Sequence, residues 1–308
     1  MTTLSDRVLT PVQIREFSVR SDRRGLVRLG IHLLLLVATG GLVAVSGPWL
    51  KLPAIVLFGI VQAALFAPAH ETMHKTAFAS KRLNLVVAWI TACPSLLNAQ
   101  FYASFHLAHH RHTQLPGDPE RGAMPEPRTL YDYAIRVLGV SYWHFRLKMI
   151  ANCWSGDLSG YPYISEASRQ SIIWSVRAMS VLMFGGAAVT GLAFGWRIPL
   201  EYWIAPQLLG QPFLRAYLLA EHTGCTEDAN GLTNTRTTLT NAAVRLLMWD
   251  MPFHAEHHLY PSIPFHRLGD AHQAIRARLG YLQDGYVKWH IALLRSFSRR
   301  SERAPVSS

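Results

Sequence analysis

Three short histidine clusters carry the chemistry available to this chain: His70 and His74 in HETMH, His106, His109 and His110 in HLAHH, and His254, His257 and His258 in HAEHH. They hold eight of the 15 histidines in 308 residues. On an α-helix, side chains at i, i+3 and i+4 share one face a turn apart, so every imidazole of a cluster can aim at a common point. Imidazole suits iron, zinc and copper. A tetrahedral zinc takes four ligands at most, so eight histidines are too many for one such ion. Two metals of larger coordination number are the simplest reading.

The elements that must position these clusters are long apolar runs. Leu29 to Ser46 and Leu52 to Ala69, 18 residues each, flank Gly47-Pro48-Trp49; as helices each spans roughly 27 Å, close to a hydrocarbon core of about 30 Å. They are expected to form a transmembrane hairpin. A second hairpin is expected from Ala178 to Trp196 and Tyr202 to Ala220, the latter interrupted by Pro206, Gly210, Pro212 and Arg215. Breakers and an arginine at membrane depth fit a segment lining a site, although Arg215 could equally snorkel to the interface. Leu83 to Leu97 is shorter and contains Pro94, so it is expected to lie in the interface or re-enter. The first and third clusters then emerge on one membrane face, and the second joins them only if Leu83 to Leu97 does not cross. The fold expected is all-α and integral to the membrane: four transmembrane helices in two hairpins, interfacial helices, and a cytoplasmic histidine-rich cap. In domain terms, residues 1–28 read as a basic cytoplasmic tail, 29–295 as a single membrane domain, and 296–308 as a loose tail.

Composition agrees with that class. Half the residues are hydrophobic and only 16% are charged, against about 25% in soluble proteins. The net charge of +11 sits in tails and between apolar runs without an aromatic-interleaved stripe, which favours an anionic membrane face over nucleic acid. The presumed outer turns carry one basic residue each, Lys51 and Arg197, so positive-inside orientation places both termini and the clusters in the cytoplasm. Six arginines in the first 30 residues, without an early apolar region, are unlike a cleaved signal peptide. Cys93, Cys153 and Cys225 lack CxxC spacing and read as reduced, inert thiols.

The series HxxxH, HxxHH, HxxHH, placed after the second span, after a short interfacial segment and after the fourth span, resembles the membrane fatty acid desaturase and hydroxylase superfamily. The flanking text HHRHTQLPGDPE and MPFHAEHHLYPSIPFHRL is similar to that family too, and the likeness covers about Leu52 to Leu268. The resemblance implies a non-haem di-iron centre on the eight cluster histidines, with dioxygen as co-substrate and an external electron donor. It also implies a further ligand, best matched by His222 in AEHTG, with Glu221, His112 and Asp118 as weaker candidates for direct, supporting or water-mediated roles. The third cluster begins with His254 rather than glutamine and no HPGG motif occurs, so electrons are expected from a separate ferredoxin or small cytochrome. The substrate implied is a fatty acyl chain on lipid, coenzyme A or carrier protein, in a bacterial inner membrane. Short relatives also oxidise small non-lipid metabolites, dihydrorhizobitoxine among them.

Rival readings of the same residues exist. HETMH is an HExxH sequence, which would make His70 and His74 zinc ligands and Glu71 the base of an intramembrane metallopeptidase; that leaves the other two clusters without a role. A membrane metal carrier would place its ligands near the bilayer midplane, not after the spans. In the oxidative reading, loss of two hydrogens gives an alkene and oxygen transfer gives an alcohol, a choice set by fine positioning. Trp89, Gln100, Tyr102, Gln207, Gln211 and Arg215 are candidate pocket residues. The stretch 234–238, NTRTT, could orient the last cluster, meet a polar head group, or simply cap and turn.

Overall fold

The computed structural model describes residues 8–303, with side chains to Arg299. Thr10 opens α1 (Pro11–Phe17) with a capping box to Gln13. Ser21 caps α2 (Asp22–Val45), which begins before the boundary expected at residue 28. After the Ser46–Gly47 turn, α3 (Pro48–Ala63) continues with a slight break into α4 (Phe66–Met73). Ser80 caps α5 (Lys81–Ala92). The chain then turns 94° through Cys93–Ser95 and a left-handed Leu96 into α6 (Ala99–His112). Asn98 caps α6, its Oδ1 accepting from the Gln100 and Phe101 amides.

Helices α7 (Pro119–Ala123), α8 (Leu130–Val137) and α9 (Val140–Ser155) follow. Then α10 (Glu166–Ser180) runs through a π-turn at Val181–Gly185 into α11 (Gly186–Phe194). The short α12 (Arg197–Pro199) and a second π-turn, Leu200–Ile204, lead into α13 (Ala205–His222). The C-terminal part holds α14 (Ala242–Leu247), α15 (His254–Leu259), α16 (Leu268–Ile275) and α17 (Tyr286–Arg303). It departs from the all-α expectation in one small parallel pair, β1 (Thr237–Leu239) with β2 (Leu282–Asp284), Thr237 opposite Leu282.

Three helices are long and apolar enough to cross a bilayer: Asp22–Val45, Pro48–Met73 and Glu166–Phe194. The bent pair α5–α6 raises the number to four if it counts as one span. The expected fourth crossing, Tyr202 to Ala220, forms a helix but does not join that set. Its inner face is buried against other helices, so Gln207, Gln211 and Arg215 stand where a lipid-exposed span carries apolar groups. Helix α13 meets α3 where two glycines remove the side chains: a Cβ on Gly210 would lie 2.0 Å from the Gly59 carbonyl oxygen, and one on Gly59 would lie 2.3 Å from that of Pro206. Several polar groups inside this bundle are paired. His32 meets the Val61 carbonyl at 2.9 Å, and Gln62, Gln207 and Ser95 form a buried chain of hydrogen bonds. At the presumed outer turns, Lys51 lies 3.5 Å and Arg197 2.6 Å from Glu201, tying one turn to the other.

The stretches expected to be tails are structured within the described residues. Leu9, Ile14 and Phe17 pack with Leu232, Phe253, Leu259 and Ile263, and the Val8 and Leu9 amides both donate to the Tyr260 hydroxyl at 2.9 Å. Helix α17 carries the chain to Arg303, beyond the expected domain end at 295, because its inner face packs Trp289 and Leu293 on Leu219 and Ala220. Residues 1–7 and 304–308 of the two expected tails lie outside the described residues.

Candidate metal centre

His70 sits near the end of α4 and His74 caps it, at the end remote from the Ser46–Gly47 turn. His222 ends α13, likewise remote from the second outer turn. The 94° bend after α5 brings His106, His109 and His110 of α6 back to the same end, and α15 supplies His254, His257 and His258. The nine histidines meet in two adjoining groups. In the first, ligand atoms of His70, His74, His106, His110 and His257 all lie within 4.8 Å of one another. In the second the same holds for His109, His222 and His258, and His254 joins them with its Nε2 3.2 Å from that of His222. The His110 and His258 rings stack at 4.0 Å where the groups touch.

The proton placement decides what such a cluster accepts. Asp118 Oδ1 accepts from His109 Nδ1 at 2.9 Å, and the Asn234 carbonyl accepts from His222 Nδ1 at 3.2 Å. Thr113 donates its hydroxyl proton to the His109 carbonyl, so its oxygen accepts from His258 Nδ1 at 3.2 Å. In the neutral form each ring then presents a lone pair at Nε2, and those of His109 and His222 face each other at 3.2 Å. Burial pushes the His109 ring down, but the Glu120 charge and the Asp118 hydrogen bond outweigh it and hold it above the usual imidazole range. Two facing lone pairs repel unless a cation lies between them. In the first group Nε2 atoms stand 2.7 Å (His74–His106), 3.0 Å (His106–His110) and 3.2 Å (His110–His257) apart. Ligands at about 2.1 Å from one ion and at right angles would be about 3.0 Å apart. Both nitrogens of His70, Nδ1 of His254 and Nε2 of His258 are buried without a partner. Burial, reinforced by the neighbouring rings, holds His254, His257 and His258 well below the usual imidazole range and pushes His74 down to about 3. Neutral imidazole is the metal-binding form, so this donor set fits two metal ions.

Supporting residues hold the rings. The stretch 234–238 does so from several sides: Arg236 donates to the Ala220 and Thr223 carbonyls, Thr235 lies 3.4 Å from His222 Nδ1, and Thr237 bonds Glu256 and accepts from the Ala255 amide. Glu256, buried within the third cluster, also pairs with His272. Glu71 Oε1 accepts from the Phe265 amide at 2.9 Å and ties the first cluster to the loop after the third, while its Oε2 is buried without a partner. Glu221 Oε2 lies 3.4 Å from His254 Nε2. His112 joins neither group.

Two small cavities of about 30 Å³ each touch the histidines. Tyr102 and Arg215 line the first, as expected, together with Glu120 and Arg146, which the sequence reading did not single out. Arg146 and Glu120 carry no cluster spacing of their own, because they reach the centre from α9 and from α7. Gln207 and Gln211 belong to the buried chain with Gln62. Trp89 and Gln100 line a separate cavity of about 380 Å³ whose walls include none of the nine histidines.

Fold and site together define a helical membrane protein with a buried polyhistidine centre. A family model described as fatty acid desaturase matches residues 46–290, and the chain belongs to that family. Among curated proteins it is similar to dihydrorhizobitoxine desaturase of Bradyrhizobium elkanii, 27% identical over 78% of this chain and 70% of that one. It is also similar to an sn-1 acyl-lipid omega-3 desaturase (ferredoxin) of Nostoc sp. (strain 36), 23% identical over 75% and 69%. Alkane 1-monooxygenase of Acinetobacter baylyi is 23% identical over 73% of this chain and 54% of the relative. The protein is thus an oxidoreductase of a desaturase and monooxygenase family.

Proposed function

We propose that His70, His74, His106, His110 and His257 hold one iron ion and His109, His222, His254 and His258 a second, in a non-haem di-iron enzyme that oxidises an unactivated C–H bond with dioxygen. The observation that carries this reading is the facing of imidazole lone pairs whose protons are tied elsewhere, at His109 and His222. Bound there, two irons would supply the redox chemistry by which dioxygen, two donor electrons and two protons remove two hydrogens from a saturated C–C unit, leaving an alkene and two waters. The chain's own residues fix the rings: Asp118, Thr113 and Asn234 set the tautomers, and Glu71 and Glu256 brace the clusters. Burial of the centre excludes bulk water.

The reading includes a single membrane domain in the inner membrane, with the histidines and both ends of the chain cytoplasmic. Exposed arginines there would dock an acidic ferredoxin or small cytochrome by charge complementarity, and the first substrate class is a fatty acyl chain on lipid, coenzyme A or carrier protein. A second reading, a small non-lipid metabolite, is favoured by the charged residues lining the cavity at the histidines and by the likeness to dihydrorhizobitoxine desaturase. Hydroxylation is the alternative outcome at the same centre.

The test is expression in a lipid-producing host with analysis of fatty acids and polar metabolites, beside the iron content of the purified protein. Wild type should contain two irons per chain and yield a new double bond or hydroxyl group. In His257→Ala the product should fall by more than about 100-fold, beyond the effect of losing an outer partner of a ligand. One tightly held zinc per chain, or an unchanged product in the variant, would overturn the reading.

A further inference from the structure

The wall of the cavity at the histidines holds two guanidinium groups that form no ion pair among the described residues. Arg146 of α9 and Arg215 of α13 are each only 5% exposed and line that cavity with His70, His106, His109 and His254. The Nε of each is buried without a hydrogen-bond partner. Among the described residues neither forms an ion pair within 4.0 Å, and of the cavity's two acids Glu120 is turned to Arg136 and His109 while Glu221 keeps its Oε1 buried without a partner. Glu120 lies 3.9 Å from Arg136 and 3.7 Å from His109, and Glu221 faces His254.

What the two arginines share is the ring of Tyr142, 4.3 Å from Arg215 and 5.0 Å from Arg146, itself fixed by its hydroxyl donating to the Ser95 carbonyl. An aromatic face attracts a cation but satisfies none of the five N–H donors of a guanidinium. Two buried forks with donors to spare, on one rigid platform, are suited to a planar oxyanion held by paired hydrogen bonds. The cavity volume, about 30 Å³, admits about two water-sized groups.

We propose that Arg146 and Arg215 bind a carboxylate of the substrate at the edge of the metal centre, so that the C–H bond oxidised lies within a few bonds of an acid group. This rests on the metal-centre reading above and narrows its substrate to a small carboxylic acid, as opposed to the interior of a lipid-bound acyl chain.

The test titrates the full iron-loaded chain in detergent micelles with butanoate and with its neutral analogue butanamide, following binding by calorimetry, for wild type, Arg215→Gln, Arg146→Gln and Arg215→Lys. Wild type should bind butanoate about tenfold or more tighter than butanamide, the advantage of a charge-assisted fork. Either glutamine variant should lose that preference, and Arg215→Lys should keep part of it. Equal binding of the two probes by wild type overturns the proposal even if a variant does not fold. Undiminished butanoate binding in both glutamine variants overturns it too, since the acid would then sit on the metal. Iron measured on the same samples separates the two readings. Two irons per chain without a butanoate preference removes the anion site alone, and any other metal content removes the centre on which it rests.

Discussion

Asp118, Thr113 and the Asn234 carbonyl show how few atoms are needed to turn a ring's lone pair toward the cluster. Each oxygen takes the Nδ1 proton of one histidine and so leaves the lone pair on the nitrogen that points into the cluster. Asp118 is the most exposed to test, because its carboxylate also accepts from the Gln114 and Glu120 amides and is thereby held rigid. Burial pushes its carboxyl up, but the hydrogen bond and charge of His109 and those two amides outweigh it and hold it below the usual range. Asp118→Asn keeps the shape and removes the charge. Iron affinity, measured by competition with a chelator, should fall about 10- to 100-fold, the usual cost of losing an outer partner of a ligating histidine. Unchanged affinity would mean that Asp118 only shapes the loop.

Elements set the reach of these residues. Helix α15 is six residues long and could not stand alone, since short isolated helices are marginal in water; it persists because the stretch 234–238 and the packed segment around Leu9 hold it. Left-handed backbone at non-glycine residues flanks every cluster: Lys75 after the first, Leu96 and Gln114 around the second, Trp249 and Asp250 before the third. Such conformations cost of order 1–3 kcal/mol each and persist where surrounding structure over-determines them. The contact of α3 with α13 is the most demanding, because Gly59 and Gly210 put backbone against backbone. Gly210→Ala should therefore destabilise by about 1–3 kcal/mol as an overpacked core position. A lowered unfolding temperature in detergent, with displacement of His222 seen as reduced iron content, would be the signature. An unaltered melting curve would contradict the close approach.

At the scale of the whole molecule, the two turns joined through Glu201 lie at one end of the long helices and the histidine clusters at the other. Trp49, 94% exposed, marks the first end; Arg278, exposed after α16, marks the second. The three native cysteines are buried and free, with burial pushing the thiols of Cys153 and Cys225 up to about 11, so they react slowly. In intact cells a membrane-impermeant maleimide should label Trp49→Cys, and it should label Arg278→Cys only after lysis. The reverse pattern would invert the orientation and place the electron donor on the other side. Labelling of both in intact cells would put the two ends on one face and break the assignment of spans.

The residues able to bind metal were legible in the amino-acid order because i, i+3, i+4 spacing is a local property: a helix places those rings together whatever surrounds it. The long apolar runs were legible for a similar reason, hydropathy being a sum over neighbours in sequence. Contacts between distant segments decided the rest. His110 parts from His109 and joins the group of His70 and His257 because adjacent helical positions point about 100° apart, and only the packing of α4, α6 and α15 says which partner each finds. The same packing buries one face of α13, ties Glu71 to the loop after the third cluster, and brings Arg146 from a remote helix to the cavity wall. None of these has a sequence period, since each depends on where the 94° turn after α5 and the glycine contact of α3 with α13 leave the chain in space.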